Sequence, residues 1–198
     1  LAATCSLCHT SSGNFIFSEN LMTDTILYSR IGHVGRLVLN NPQRHNSLGH
    51  VQLEAIKECL TRVATSAQER VLIVTGAGEK TFCAGASLQE LSEGQIGEDS
   101  FQKMTAQLAD LSIPTICAMN GDVFGGGVEL AISCDFRIGV EGSRMLVPAA
   151  SIGLCYPPAG IKRFVECLGV SLTKRILVAS EEFPANTLLG VGFLDHLV

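Results

Sequence analysis

Two glycine-rich turns, Phe82-Cys83-Ala84-Gly85-Ala86-Ser87-Leu88 and Asn120-Gly121-Asp122-Val123-Phe124-Gly125-Gly126-Gly127-Val128-Glu129-Leu130, constrain this chain more than any other feature. Each follows an apolar run that reads as a buried strand, Val71 to Val74 before the first and Pro114 to Met119 before the second. In open α/β sheets ligands bind beyond the carboxyl ends of such strands, so both turns stand where a site forms. Glycine lets a ligand approach the backbone closely. A helix beginning at Gly126 also aims free N–H groups and the positive end of its dipole into the turn. A carbonyl becoming an enolate is stabilised by a pair of such donors, each worth about 3–4 kcal/mol. Glycine triplets serve equally as close-packing points, and these segments alone leave both readings open.

The rest of the chain supplies the frame. Thr25 to Ile31 and His33 to Leu39 are β-rich runs separated by Gly32, which predicts consecutive strands. From Leu48 onward, Leu53, Ile56, Leu60 and Val63 recur at helical spacing, and Phe101, Met104, Leu108 and Leu111 do so again. The run Val71 to Val74 predicts a strand covered on both faces. Helical residues follow the glycine triplet, Cys134 to Val140 returns to strand character, and Ile161 to Leu168 and Ser171 to Val178 read as two more helices. Alternation of this kind predicts an α/β domain with a largely parallel sheet.

Glu129 is the one charged residue in the helical run Val128 to Ser133. An unpaired carboxylate there is costly to bury, and burial raises its pKa toward neutrality, which suits it to exchange protons with carbon or water. A structural glutamate bonded to nearby backbone N–H groups is the alternative, since perturbed carboxylates mark sites only statistically.

At 198 residues and 46% hydrophobic, the chain has material for one sizeable core. A net charge of −5 without like-charge runs speaks against nucleic acid and against a polybasic membrane surface, leaving a small molecule as the expected partner. No apolar stretch reaches the roughly eighteen residues of a transmembrane helix. Six of the eight cysteines, Cys59, Cys83, Cys117, Cys134, Cys155 and Cys167, lie singly in apolar surroundings. That distribution fits reduced, buried thiols and a cytoplasmic location. The other two form Cys5-Ser6-Leu7-Cys8-His9, which matches the haem-attachment pattern but is one ligand short of a zinc site. Met22-Thr23-Asp24-Thr25 looks like a natural start, so residues 1–21 are read as a leader or non-native segment and residues 22–198 as a single core domain. No metal and no separate cofactor are expected.

Taken together, the motifs resemble the crotonase, or enoyl-CoA hydratase/isomerase, superfamily. The resemblance rests on Leu37-Val38-Leu39-Asn40-Asn41-Pro42 with Asn46-Ser47-Leu48, Val74-Thr75-Gly76-Ala77-Gly78 with the Phe82 turn, and Ala118-Met119-Asn120-Gly121 with the glycine triplet. It continues through Ser133-Cys134-Asp135-Phe136-Arg137-Ile138 to Gly190-Val191-Gly192-Phe193-Leu194-Asp195. It implies a spiral of repeated ββα units that binds an acyl-coenzyme A thioester as substrate. The thioester oxygen would meet the N–H groups of Ala86 and Gly126, with Ala84 and Gly125 beside them and Glu129 as acid/base. Ala86, Ser87, Leu88 and Gln89 would line the thioester and pantetheine, and Arg44, Asn46, Ser47 and Leu48 the nucleotide end. A homotrimer or hexamer is implied as well.

The chain departs from the pattern in four places. Ser87 stands where an aspartate is usual and Gln89 where a lysine is common. In Met145-Leu146-Val147-Pro148-Ala149-Ala150-Ser151-Ile152-Gly153, Ala149 occupies the position of the second glutamate that hydratases of the family use. Tyr156 and Ser151 are the polar side chains nearby, with packing the expected fate of either. The chain stops at Val198, where relatives continue into further helices, so the C-terminal helical part is expected to be truncated. Hydration needs one group for water and another for the α-carbon proton, so Ala149 moves the expectation toward isomerisation or decarboxylation. A non-catalytic acyl-CoA-binding homologue is the alternative.

Overall fold

The computed structural model describes residues 20–97 and 99–198, with side chains described from Thr23 onward. The Cys5, Cys8 and His9 pattern and most of the expected leader lie outside the described residues. Asn20 and Leu21 belong to the first strand, where they pair with Tyr28 and Leu27.

Strands β1 (Asn20–Thr23), β2 (Ile26–Ile31) and β3 (Val34–Leu39) form an antiparallel meander, and helix α1 (His50–Thr65) follows. The helix buries Leu53, Ile56, Leu60 and Val63, the stripe predicted from spacing. Glu90 accepts from His50 N at 2.8 Å and Gln52 from Gly49 N at 2.9 Å, which satisfies backbone donors at its start.

Three two-strand units then repeat. β4 (Val71–Gly76) and β5 (Thr81–Cys83) precede α2 (Leu88–Ser92) and α3 (Ser100–Ala109). β6 (Thr115–Ala118) and β7 (Asp122–Phe124) precede α4 (Gly126–Ile132). β8 (Phe136–Gly139) and β9 (Arg144–Leu146) precede α5 (Pro158–Leu177). The first strand of each unit joins one sheet, ordered β1-β2-β3-β4-β6-β8-β11, and the second joins another, ordered β10-β9-β7-β5. Within the units all neighbours are parallel, so each turn of the chain advances by one strand in both sheets. This is the spiral of repeated ββα units that the resemblance implies. The chain ends in β10 (Phe183–Pro184), α6 (Ala185–Gly190) and β11 (His196–Leu197).

Several expectations need adjustment. The sheet is two sheets, because three-residue strands such as β5, β7 and β9 are too short to show a period. Leu72 and Val74 of β4 are fully buried while Val71 and Ile73 are only partly so, which makes the cover on the two faces unequal. The two helices read at 161–168 and 171–178 form one element broken at Gly169, which has φ 75° and ψ 163°.

The corners where the chain passes from one sheet to the other are tied by two asparagines. Asn46 donates through Nδ2 to the carbonyls of Ala77 and Thr81 at 3.0 and 2.8 Å and accepts from Asn41 N at 2.9 Å. Asn120 accepts from Gly76 N at 3.0 Å and donates to the Gly78 carbonyl at 2.7 Å. Beyond those corners the tips of β5 and β7 meet. A Cβ on Gly85 would collide with the backbone of Gly126, and one on Gly127 with the Cys83 carbonyl. The two turns therefore pack backbone on backbone. Gly127→Ala is expected to lower stability by about 1–3 kcal/mol, as overpacking does, read as a lower urea midpoint with unchanged slope.

Candidate active site

The interlocked turns open onto a cavity of about 270 Å³. Leu88, Ile96, Phe101, Phe124 and Val147 give it apolar walls, and its polar side chains are Gln102, Glu129, Cys155 and Tyr156. Glu129 is the one carboxylate among the described residues that line it. Ala84, Ala86, Leu88, Gly125 and Gly126 line it too, so half of the twelve residues expected at the site converge there.

Ala86 is held by pairing on both sides of it. Leu48 N donates to the Gly85 carbonyl at 2.8 Å, and Ser87 N donates to the Leu48 carbonyl at 2.9 Å. Successive amides of an extended chain point opposite ways, so the Ala86 N–H turns away from Leu48. Gly126 opens α4, where the first amides of a helix have no partner within it. Among the described residues neither the Ala86 nor the Gly126 N–H meets an acceptor, and both residues face the same cavity. Phe101 covers Gly126 closely enough that a Cβ there would press into its ring.

Glu129 lies one turn into α4 and is 1% exposed. Its two oxygens are held by different elements. Thr105 on α3 donates to Oε1 at 3.1 Å, and Tyr156, just before α5, donates to Oε2 at 2.9 Å. Burial pushes the carboxyl above the ordinary carboxylate range, while the bonds from Tyr156 and Thr105 and the positive charge of Arg163 draw it partly back. Tyr156 is pushed well above the ordinary tyrosine range by burial and by the charge of Glu129. Its ring stands edge-on to Phe164, with centroids 5.5 Å apart.

The other expected residues sit around this centre. Ser87 caps α2, and Gln89 is exposed and donates to Glu93 at 3.0 Å. Arg44 is exposed and Ser47 half-buried. Asn46 is 1% exposed with its amide engaged in the corner, and the Leu48 side chain is in the core. None of Arg44, Asn46, Ser47 and Leu48 lines the cavity; the segment stands behind its wall, where Leu48 pairs around Ala86 and Ala84 N donates to the His45 carbonyl at 3.0 Å. Ala149 is part of the cavity wall, and Ser151 is exposed and outside it. Cys83 is fully buried, with its thiol pushed up to about 12 by desolvation, and Cys59, Cys117 and Cys134 are buried too, whereas Cys155 and Cys167, expected to be buried, are exposed.

Sequence reasoning did not find Thr105. It follows Met104 on the buried stripe of α3, and a lone polar residue on such a stripe is the signal that marks it. Tyr156 was read chiefly as packing, and the structure joins its hydroxyl to Glu129.

A spiral of ββα units with two unpaired amides and a buried carboxylate around one apolar cavity defines a crotonase-type protein. Residues 30–198 match the Enoyl-CoA hydratase/isomerase family, and the chain belongs to it. Among its relatives, YngF of Bacillus subtilis is 33% identical over 89% of this chain and 70% of its own length. The bovine mitochondrial enoyl-CoA hydratase domain-containing protein 2 is 31% identical over 83% of this chain and 57% of its own. The solved enoyl-CoA hydratase of Bacillus anthracis superposes with a TM-score of 0.79 at 31% identity, covering 88% of this chain and 70% of that one. The chain thus spans between somewhat over half and about seven tenths of these relatives. Among the described residues no helix is long and apolar enough to cross a membrane.

The raised pKa of Glu129 has a consequence for stability. The folded protein keeps a proton on this carboxyl at pH values where the unfolded chain has released it. Stability contributed by the site is therefore present below the ordinary carboxylate range and is lost as pH rises toward the folded value. Glu129→Gln, which removes that ionisation, is expected to raise the melting temperature at pH 7. The gain should shrink as the pH of the thermal scan is lowered through the carboxylate range.

Proposed function

We propose that this protein binds an acyl-CoA thioester and forms its enolate, with double-bond isomerisation as the reaction. The observation that carries the reading is the convergence of the free Ala86 and Gly126 amides and the Glu129 carboxylate on one cavity. The thioester oxygen accepts from both amides, which stabilise the oxyanion by about 3–4 kcal/mol each as charge moves onto it. Glu129 takes the α-proton. Its apolar surroundings favour the neutral acid that results, and the bonds from Thr105 and Tyr156 keep the ionised form accessible for the next turnover.

Ala84, Ser87, Leu88, Gln89 and Gly125 flank the thioester and pantetheine in this reading. Exposed Arg44 serves the nucleotide phosphates, with Asn46, Ser47 and Leu48 shaping the backbone beside it. Isomerisation is favoured over hydration because Glu129 is the one carboxylate among the described residues of the cavity wall, and Ala149 supplies no second carboxylate to orient and activate a water. A trimeric or hexameric assembly and a cytoplasmic location belong to the same proposal.

Given 3-hexenoyl-CoA, the protein is expected to form the conjugated 2-enoyl thioester faster than it hydrates crotonyl-CoA. Glu129→Gln should slow this by about 10²- to 10⁴-fold, with acyl-CoA affinity measured by calorimetry largely kept. Tight acyl-CoA binding by the wild-type protein with no turnover of either thioester would instead identify a non-catalytic binding protein.

A further inference from the structure

Moving a double bond requires a proton to leave one carbon and another to arrive two carbons away. A single carboxylate handles the first step easily and the second only by swinging across the substrate. Glu129 is poorly placed to swing, since Thr105 holds Oε1 from a fully buried position on α3. Oε2 is on the side of Tyr156, and Tyr156 lines the cavity.

We propose that Tyr156 is the second proton-handling group of this site, delivering its own proton to the γ-carbon and taking in its place the one that Glu129 has removed from the α-carbon. The inference rests on the enolate reading above. It is carried by the bond between the Tyr156 hydroxyl and Glu129 Oε2, whose 2.9 Å length lies in the range where either oxygen can be the donor. With Glu129 ionised, the tyrosine donates to it. Once Oε2 has received the α-proton, the bond reverses, the carboxylic acid donates to the phenol oxygen, and the phenol proton is free to point into the cavity.

The steps balance without another reactant. The α C–H bond of a 3-enoyl thioester breaks, its proton goes to Oε2, and its electron pair spreads over the dienolate held by the Ala86 and Gly126 amides. The γ-carbon then takes the Tyr156 proton as the Glu129 proton passes to the phenol oxygen. The 2-enoyl thioester, ionised Glu129 and neutral Tyr156 remain. A tyrosine held above its ordinary range stays protonated until this moment, as a proton donor must.

The surroundings are built for the pair. Gly160 on α5 leaves the room it occupies, since a Cβ there would come 2.6 Å from the tyrosine ring and 3.0 Å from Oε2. Phe164 backs the ring, fixing the hydroxyl toward the carboxylate. Among other hydroxyls near the turn, Ser151 is exposed and outside the cavity.

The test is 3-hexenoyl-CoA in D₂O with wild-type protein and Tyr156→Phe, following deuterium at the α-carbon of recovered substrate by mass spectrometry and conjugated product by absorbance. In the variant, α-deuteration should be largely retained while conjugated product falls by about 100-fold or more. If exchange and product fall together in Tyr156→Phe, the residue only positions Glu129 and the proposal is overturned. Unchanged product formation overturns it equally. If the wild-type protein neither exchanges the α-proton nor forms conjugated product, the enolate reading fails and the relay fails with it.

Discussion

Everything at the site depends on two strand tips having no side chains where they touch. Gly85 lies against Gly126, and Gly127 lies against the Cys83 carbonyl, so the ends of β5 and β7 approach to backbone contact. That approach brings the amides of Ala86 and Gly126 to one cavity, and it starts α4 at the point that carries Glu129 inward. The close contact holds only because the corners below are rigid. Asn46 and Asn120 bind the carbonyls and amides that the chain would otherwise leave unpaired as it leaves one sheet for the other. A spiral that advances one strand per turn in both sheets then repeats the corner at each level.

Burying a carboxylate beside this contact is costly, and the fold meets the cost with donors from separate elements. Thr105 comes from α3, Tyr156 from the approach to α5, and the charge of Arg163 from α5 itself. None of these helices could shift without loosening a hydrogen bond to Glu129. The proton-binding strength of the group is thus a property of how three helices pack, and it stands between the values that burial alone and hydrogen bonding alone would set.

Long elements were legible in the sequence because their periods are long enough to count. The stripes on α1 and α3 and the paired strands β2 and β3 come directly from spacing. The second sheet was hidden, since a three-residue strand such as Thr81–Cys83 has no period and is defined by its neighbours. The amides of Ala86 and Gly126 were visible through glycine placement, and Glu129 through its isolation in an apolar run. The partners of Glu129 were not, because Tyr156 is 27 residues away and Thr105 is 24 residues before it, and only the packing of α3, α4 and α5 joins them. Asn46 illustrates the reverse case. A residue expected beside a ligand is consumed by the backbone of a corner, as a buried amide must be when three partners surround it.

The glycine at position 160 sets a further condition on this chain. It is the gap that an aromatic ring fills, so the identity of residue 156 and the absence of a side chain at 160 form a single choice. A methyl group added at 160 would press on the ring and on Oε2 together. Bulk at 160 and the ring at 156 compete for one space, and the acidity of Glu129 depends on how that space is filled.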